Sequence, residues 1–232
     1  MRRRQVAALV GTGISLTLTG CSSLVSEITS PTPSGTAKAA VTKSKLTKEL
    51  SGDGTWQYLS GQVTNTGEVR LSDPTVTIKF QDENGFIRDS TSERIYSLKP
   101  GQHWDFWEPY VRIARRAPPP AAKATIEIDE FERVENYTHP SGLDVSDVTL
   151  KPREPVTVHG DITNTTGQMI NVYATAQFLT EQNHVLGWDS KFRSSLGAGK
   201  TWRFAVDWYE SSEKPIKKTS GYELFLEYFS SH

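Results

Sequence analysis

Apolar and polar residues alternate with a period of two along several segments of the chain, which is typical of a β-strand with one buried face. The clearest alternating segments are 76–81, 126–129, 202–208 and 223–227. Turn signals rich in Gly, Pro and Asn separate such segments, at 65–67, 83–85, 99–101 and 165–167. No long segment has the period of a helix. The pattern therefore predicts an all-β protein built from antiparallel strands.

The chain contains two copies of one sequence pattern. The motif Gly-x-apolar-x-Asn-Thr occupies 61–66 and recurs at 160–165, an offset of 99 residues. The motif Leu-x-x-Gly-x-x-Trp-x-Phe occupies 98–106 and recurs at 196–204, an offset of 98 residues. One residue gained or lost in a loop explains the difference between the two offsets. We therefore predict a duplicated β-sandwich with six or seven strands in each copy.

The N-terminus has the pattern of an exported protein. Three arginines at 2–4 precede an apolar run at 6–18, which is too short to cross a bilayer. The run ends in Leu-Thr-Gly-Cys, and Cys21 is the only cysteine of the chain. This tetrapeptide resembles the lipobox of bacterial and archaeal lipoproteins, in which the cysteine thiol is acylated and the chain is cut just before it.

The lipobox resemblance implies an extracytoplasmic protein anchored to the cell membrane, with membrane lipid as its partner through acylated Cys21. Two acyl chains are enough for stable anchoring. The alternative is a buried free thiol that follows a chance signal. The arginines resemble a twin-arginine signal, so the general secretory route and the twin-arginine route both stay open.

The segment that follows Cys21 is dominated by Ser, Thr, Pro, Gly and Ala and contains no aromatic residue. Such a segment buries too little apolar surface to order itself, so we expect a flexible tether. Segments near 41–50 and 143–150 are expected to supply the opening strand of each copy. The predicted organisation is a signal peptide at 1–20, a lipidated and disordered linker at 21–44, and β domains at 45–138 and 139–232.

Each copy resembles the FxLYD-type immunoglobulin-like domain of bacterial and archaeal envelope lipoproteins. The matching positions are Gly61, Asn65, Gly85, Leu98 and Gly101 in the first copy, and Gly160, Asn164, Leu196 and Gly199 in the second. The second copy has Asn183 where the family has its turn glycine, and the strand motif that names the family is degenerate in both copies. The resemblance implies two tandem immunoglobulin-like antiparallel β-sandwiches without catalytic residues, and it implies no particular ligand.

Composition argues against several functions. A formal net charge of −1 lacks the basic excess that phosphate neutralisation needs, so we expect no nucleic-acid partner. One cysteine excludes disulfides within the chain and Cys-cluster metal sites, and the five histidines are isolated in sequence. The sequence has no Gly-rich phosphate loop and no Gly-x-Ser-x-Gly motif. We therefore expect a non-enzymatic protein with no catalytic residue, metal or cofactor.

The duplication sorts the aromatic residues into two groups. Those shared by both copies are expected in the two cores: Trp104 with Trp202, Phe106 with Phe204, and Tyr110 with Trp208. Trp56, Trp107 and Trp188 have no aromatic counterpart. Unshared tryptophans are candidates for contact with a ligand or partner, because large aromatic side chains dominate such surfaces. The alternative is that they pack in one core or between the copies.

These observations favour a membrane-anchored protein-interaction or envelope-organising module, with edge strands and loops as its working surface. The alternative is a carbohydrate-binding lipoprotein that stacks sugar rings on Trp56, Trp107 or Trp188. The expected partner is accordingly an envelope protein or a glycan. A hydrolase is disfavoured because no nucleophile–base pair is visible in the sequence.

Overall fold

A computed structural model describes residues 35–51, 54–110, 120–134, 137, 139–153, 155–209 and 217–230. These residues belong to one compact unit, Pro33–His232. Their regular structure is entirely β, which confirms the predicted all-β class. Among these residues no helix is long and apolar enough to cross a membrane. The predicted signal peptide 1–20, Cys21 and the linker up to residue 34 lie outside the described residues.

Thirteen strands are described, seven in the first half and six in the second. The first half contains β1 (Ala39–Ser51), β2 (Gly54–Asn65), β3 (Arg70–Gln81), β4 (Ile87–Arg94), β5 (Ser97–Leu98), β6 (His103–Pro109) and β7 (Lys123–Val134). The second half contains β8 (Leu143–Lys151), β9 (Val156–Asn164), β10 (Ile170–Leu179), β11 (Val185–Leu196), β12 (Thr201–Trp208) and β13 (Gly221–Ser230). The expected opening strands near 41–50 and 143–150 lie within β1 and β8.

The strands form three sheets around two hydrophobic cores. The largest sheet has the order β1-β2-β6-β11-β10-β13 and crosses from the first half into the second. In the first half, β1-β2-β6 face a sheet in which β3 pairs with β4, β5 and β7. In the second half, β11-β10-β13 face the sheet β12-β9-β8. Each core therefore lies between two packed sheets, as in a β-sandwich.

Strand β1 corrects the predicted end of the linker. The prediction placed 21–44 in a disordered tether, but the strand begins at Ala39 and pairs with β2 as far as Ser51. Small apolar residues such as Ala39 and Val41 pack against the first core. The Thr42 hydroxyl also lies 3.0 Å from Gln62 Oε1 on the neighbouring strand. Composition alone predicted disorder here because it takes no account of the partner strand that satisfies the backbone of this segment.

The repeated asparagine has the same structural role in both halves. Asn65 Nδ2 donates hydrogen bonds to the carbonyl oxygens of Val69 and Leu98, each at 2.8 Å. Asn164 makes the equivalent two bonds, at 2.7 and 2.8 Å. Both asparagines are fully buried. Each amide therefore ties the end of one strand to two other segments, and its loss would leave buried carbonyl groups without that donor.

The turn before β4 also recurs before β11, with asparagine in place of glycine. Gly85 has a φ of 83° and Asn183 a φ of 63°. In both turns a backbone N–H donates to the carbonyl oxygen four residues later and closes the loop. The Asp82 N–H donates to the Phe86 oxygen at 3.0 Å, and the Thr180 N–H donates to the His184 oxygen at 2.9 Å. Asparagine enters the left-handed region more readily than other side chains. Asn183 therefore occupies the glycine position that the sequence pattern assigned to it.

Five of the six shared aromatic residues are buried, as predicted, and Trp202 is half-buried against the second core. The difference between Trp104 and Trp202 has a local cause. Trp104 pairs with Val185 of β11, which covers the outer side of β6. In the described part of the chain β12 has no neighbour on the equivalent side, which leaves the Trp202 ring partly in water.

Trp104→Ala is expected to lower the free energy of unfolding by about 3–5 kcal/mol, the range for truncating a buried large aromatic residue. Trp202→Ala should cost less, because part of its ring is already exposed. Chemical denaturation of the two variants measures the difference. Equal losses would contradict the covering role that we assign to β11.

Candidate functional site

The two halves meet where β6 of the first half runs beside β11 of the second. These strands pair in parallel through one residue pair, Trp104 with Val185, whereas all other described strand pairs are antiparallel. Within the described residues the ladder between them goes no further. The stretch from Phe106 to Pro109 and the stretch from Leu186 to Trp188 instead line a cleft.

The cleft has a volume of about 340 Å³, and most of its exposed lining is polar. Its lining includes four of the six tryptophans of the chain: Trp104, Trp107, Trp188 and Trp208. The charged residues Glu93, Arg94 and Glu108 also line it. Trp104 and Trp208 are buried, so the cleft combines a mainly polar lining with the half-buried rings of Trp107 and Trp188, a composition that suits ligands having both apolar and polar parts.

Trp188 crosses from the second half to the first. Its ring packs against the first core, and its indole Nε1 donates a hydrogen bond to the Arg94 carbonyl oxygen at 2.9 Å. The Arg94 guanidinium lies 5.1 Å from the centroid of the same ring, within the range of a cation–π contact. Tyr96 lies beside it, with ring centroids 5.9 Å apart. Trp188 is therefore held from several sides by the first half.

Trp107 makes the reverse crossing, from β6 of the first half to the core of the second. The Lys218 ammonium lies 4.5 Å from the centroid of its ring. Trp107 and Trp188 thus pack between the copies, and both also line the cleft. Trp56 lies in β2, and its side chain is outside what the structure describes. Of the three predicted contact residues, the structure brings Trp107 and Trp188 together.

Polar contacts fix the orientation of the halves around the cleft. Glu223 accepts a 3.1 Å contact from Arg70 and another of the same length from Lys99. The Ser97 backbone N–H donates to Gln177 Oε1 at 3.0 Å. These contacts are buried or half-buried, so water competes with them weakly. These side chains therefore restrict the relative orientation of the two halves.

A tyrosine and a glutamate add a further contact across this joint. The Tyr96 hydroxyl hydrogen-bonds Glu227, and the Tyr96 ring packs on Phe225 with centroids 4.6 Å apart. Burial, followed by the neighbouring Glu227 carboxylate, raises the pKa of Tyr96 well above its usual range. Tyr96 therefore remains a neutral hydrogen-bond donor over the whole pH range in which the protein would function.

Two histidines from opposite halves face each other beside the Trp104–Val185 pair. The His103 and His184 rings lie edge to face, with centroids 4.7 Å apart. His184 Nδ1 lies 2.9 Å from Asp105 Oδ2, and His103 Nδ1 lies 2.7 Å from the Thr64 hydroxyl. Burial, then the charge of His184, lowers the pKa of His103. In the described residues, no group of three or more His, Cys, Asp or Glu side chains is placed to hold a metal ion.

The lowered pKa of His103 predicts a loss of stability on acidification. The unfolded chain takes up the proton near pH 6.5, whereas folded His103 takes it up only at lower pH, so the free energy of unfolding decreases as the pH falls through this interval. Asp105 counteracts the shift and Lys43 reinforces it. His103→Gln should flatten this part of the profile, as measured by urea unfolding between pH 7.5 and 5. An unchanged profile would show that His103 does not contribute.

A second surface was missed by the sequence analysis. Tyr173, Phe192 and Phe229 are exposed on neighbouring strands β10, β11 and β13. Their ring centroids lie 4.7 to 6.3 Å apart, and the Phe192 and Phe229 rings are inclined by 11°. Tyr173 and Phe192 have no aromatic counterpart at the offset of 98 residues. The rule that selected the unshared tryptophans would have found these two residues if it had included Tyr and Phe.

The chain matches no protein-family model and no curated protein sequence. Solved structures with some similarity include red sea bream transglutaminase, 12% identical over 82% of this chain, with a TM-score of 0.23. This chain spans 29% of that transglutaminase. Another is the N-terminal CBM22-1–CBM22-2 tandem domain of Paenibacillus barcinonensis Xyn10C, 12% identical, covering 85% of this chain and 86% of the other, with a TM-score of 0.14. Both TM-scores are too low to inform the fold or the function.

Proposed function

We propose that this protein is a membrane-anchored extracytoplasmic lipoprotein whose two FxLYD-type immunoglobulin-like halves form a non-enzymatic protein-interaction module. We place its binding site in the cleft between β6 and β11, with an extended segment of an envelope protein as the ligand. The observation that carries this proposal is the early end of the parallel ladder. In the described residues β6 and β11 pair with each other only at Trp104 and Val185, and the residues that follow on both strands line the cleft. Strand edges without a partner bind extended peptides through backbone hydrogen bonds.

The aromatic lining supports a peptide ligand better than a sugar ring. Stacking on a sugar needs an open ring face, but the Trp188 ring is approached by the Arg94 guanidinium and the Trp107 ring by the Lys218 ammonium. The tryptophans act instead as walls that receive apolar side chains of an inserted segment. Glu93 and Glu108, which also line the cleft, add polar groups that would select its sequence.

The family and the anchor rest on different observations. The recurrence of the buried Asn65 and Asn164 networks, and of the turns at Gly85 and Asn183, supports two copies of one domain type. The membrane anchor is supported by the lipobox-like sequence before Cys21.

Peptide binding in the cleft makes a specific prediction. Peptides selected from a displayed random library on the full chain should protect backbone amides at 105–108 and 186–190 from hydrogen exchange. Arg94→Glu should weaken their binding at least tenfold, because Arg94 lines the cleft. Arg153→Glu, a charge reversal at an exposed position that does not line the cleft, is the matched control. Protection elsewhere, or equal weakening by both variants, would contradict this site.

The anchor is tested separately. Cys21→Ser should move the protein from the membrane fraction to the soluble or secreted fraction and abolish incorporation of labelled fatty acid. The reason is that Cys21, the single cysteine of the chain, carries the proposed acyl chains. Retention of Cys21→Ser in the membrane would contradict the lipoprotein assignment and leave the cleft proposal unaffected.

Carbohydrate binding remains a second candidate, and a specific observation favours a new place for it. Tyr173, Phe192 and Phe229 are exposed next to one another on neighbouring strands, and exposed aromatic rings are the groups that sugar stacking uses. Tyr173→Ala and Phe192→Ala should then abolish retention by an envelope polysaccharide without lowering the melting temperature. Phe86→Ala, another exposed aromatic residue, is the control. Full retention by the first two variants would exclude this candidate.

A further inference from the structure

The joint between the halves uses two unlike surfaces, and the duplication repeats each of them elsewhere in the chain. The first half contributes the edge of β6, whose counterpart in the second half is β12. The second half contributes the start of β11, whose counterpart in the first half is β4. In the described residues β12 pairs only with β9, and β4 pairs only with β3. The edges of β12 and β4 therefore correspond to the two sides of the joint between the halves.

We propose that copies of this protein associate head to tail, with the start of β4 of one copy lying parallel to the start of β12 of the next. The contact would repeat between molecules the joint that Trp104 and Val185 make within one molecule. At offsets of 98 residues, the equivalent pair is Trp202 with Ile87. This inference does not depend on the proposed ligand of the cleft.

Exposed apolar residues mark the β4 side of this contact. Ile87 is 56% exposed, whereas its counterpart Val185 is 0% exposed because the joint covers it. Phe86, the neighbour of Ile87, is 65% exposed. Two adjacent large apolar residues at the start of an edge strand are unfavourable in water and favour pairing with another strand.

The β12 side offers matching groups. Trp202 is half-buried on the edge strand, where Trp104 stands in the joint. In the joint, Gln102 Nε2 donates to the Asn183 carbonyl oxygen at 3.0 Å. The counterparts are Lys200 and Gly85, and a lysine ammonium can donate to the same backbone carbonyl.

A charged contact of the joint also has a chemically different but compatible counterpart. Asp105 and His184 meet in the joint at 2.9 Å. Their counterparts are Arg203 and Phe86, a pair suited to a cation–π contact. Arg203 is held on β12 by Asp161, with N···O distances of 2.9 and 3.0 Å. The guanidinium is therefore already positioned on the edge strand.

The association should be weaker than the internal joint. The buried contact between Arg70 and Glu223 has Met169 and Thr125 as its counterparts, which form no ion pair. An interface between unlike surfaces also does not close after two copies, so it generates rings or linear chains of molecules. We therefore expect a concentration-dependent series of oligomers rather than a single dimer.

Disulfide trapping tests the register. The full-length double variants Ile87→Cys/Trp202→Cys and Phe86→Cys/Thr201→Cys should form ladders of covalent multimers on mild oxidation, because directly paired strand positions lie within disulfide reach. The second pair replaces only exposed residues, so it keeps the test valid if loss of Trp202 impairs folding. Mixing the single variants Phe86→Cys and Thr201→Cys should give dimers and nothing larger.

The matched control is Phe86→Cys/Thr149→Cys, which places the second thiol on β8 at the opposite edge of the same sheet. Single variants report any cross-link made through Cys21. Ladders confined to the two β4–β12 pairs would support the proposal. Absence of ladders at high protein concentration, or equal ladders from the control, would overturn it.

Discussion

The parallel pairing of Trp104 with Val185 joins two β-sandwich halves into one six-stranded sheet. A parallel pair between neighbouring domains needs no connecting loop at that point, because each strand is already held in its own half by antiparallel neighbours. It does require that the two strands enter the pair from the same direction. Here they do so for one residue pair and then separate. The joint, the cleft and the burial of Trp104 all follow from that limited contact.

The exchange of tryptophans explains why so short a ladder holds. Trp107 reaches from the first half into the second core, and Trp188 reaches from the second half to the first. Each buries a large aromatic area that neither half would bury alone. The ion pairs of Glu223 and the hydrogen bond between Ser97 and Gln177 then fix the rotation of one half relative to the other. Apolar burial favours contact between the halves, and the polar contacts select one orientation.

The sequence predicted features that depend on local pattern or on the repeat itself. The strand alternation, the repeated asparagines Asn65 and Asn164 and the turn at Asn183 are local, and two copies allow each to be checked against the other. The burial of both asparagines was not predicted. The start of β1 was predicted too late in the chain, because this segment becomes a strand by pairing with β2 and not through its own composition. The joint was not predicted because Trp107 packs against the core of the second half, which is distant in sequence, and no local spacing encodes that contact. Comparison of the two copies nevertheless identified Trp107 and Trp188, which both lie at the joint. The joint uses a different surface of each copy, so the residues that form it differ between the copies.

When a domain packs against its own copy through two different surfaces, each half keeps one strand edge that has no partner in the joint. The equivalent of each surface remains at the other half, and only a change of sequence can protect it. On β12 such a change is visible, because Arg203 stands where the joint has Asp105 and is paired with Asp161. On β4 the change does not protect the edge. Phe86 and Ile87 stand where the joint has His184 and the buried Val185, and both are exposed to water. The two edges therefore differ in chemistry, because β12 carries the guanidinium of Arg203 and β4 exposes the Phe86 ring and Ile87. Contact between these unlike edges can bring a cation to an aromatic ring, which contact between two β12 edges cannot do in the same way.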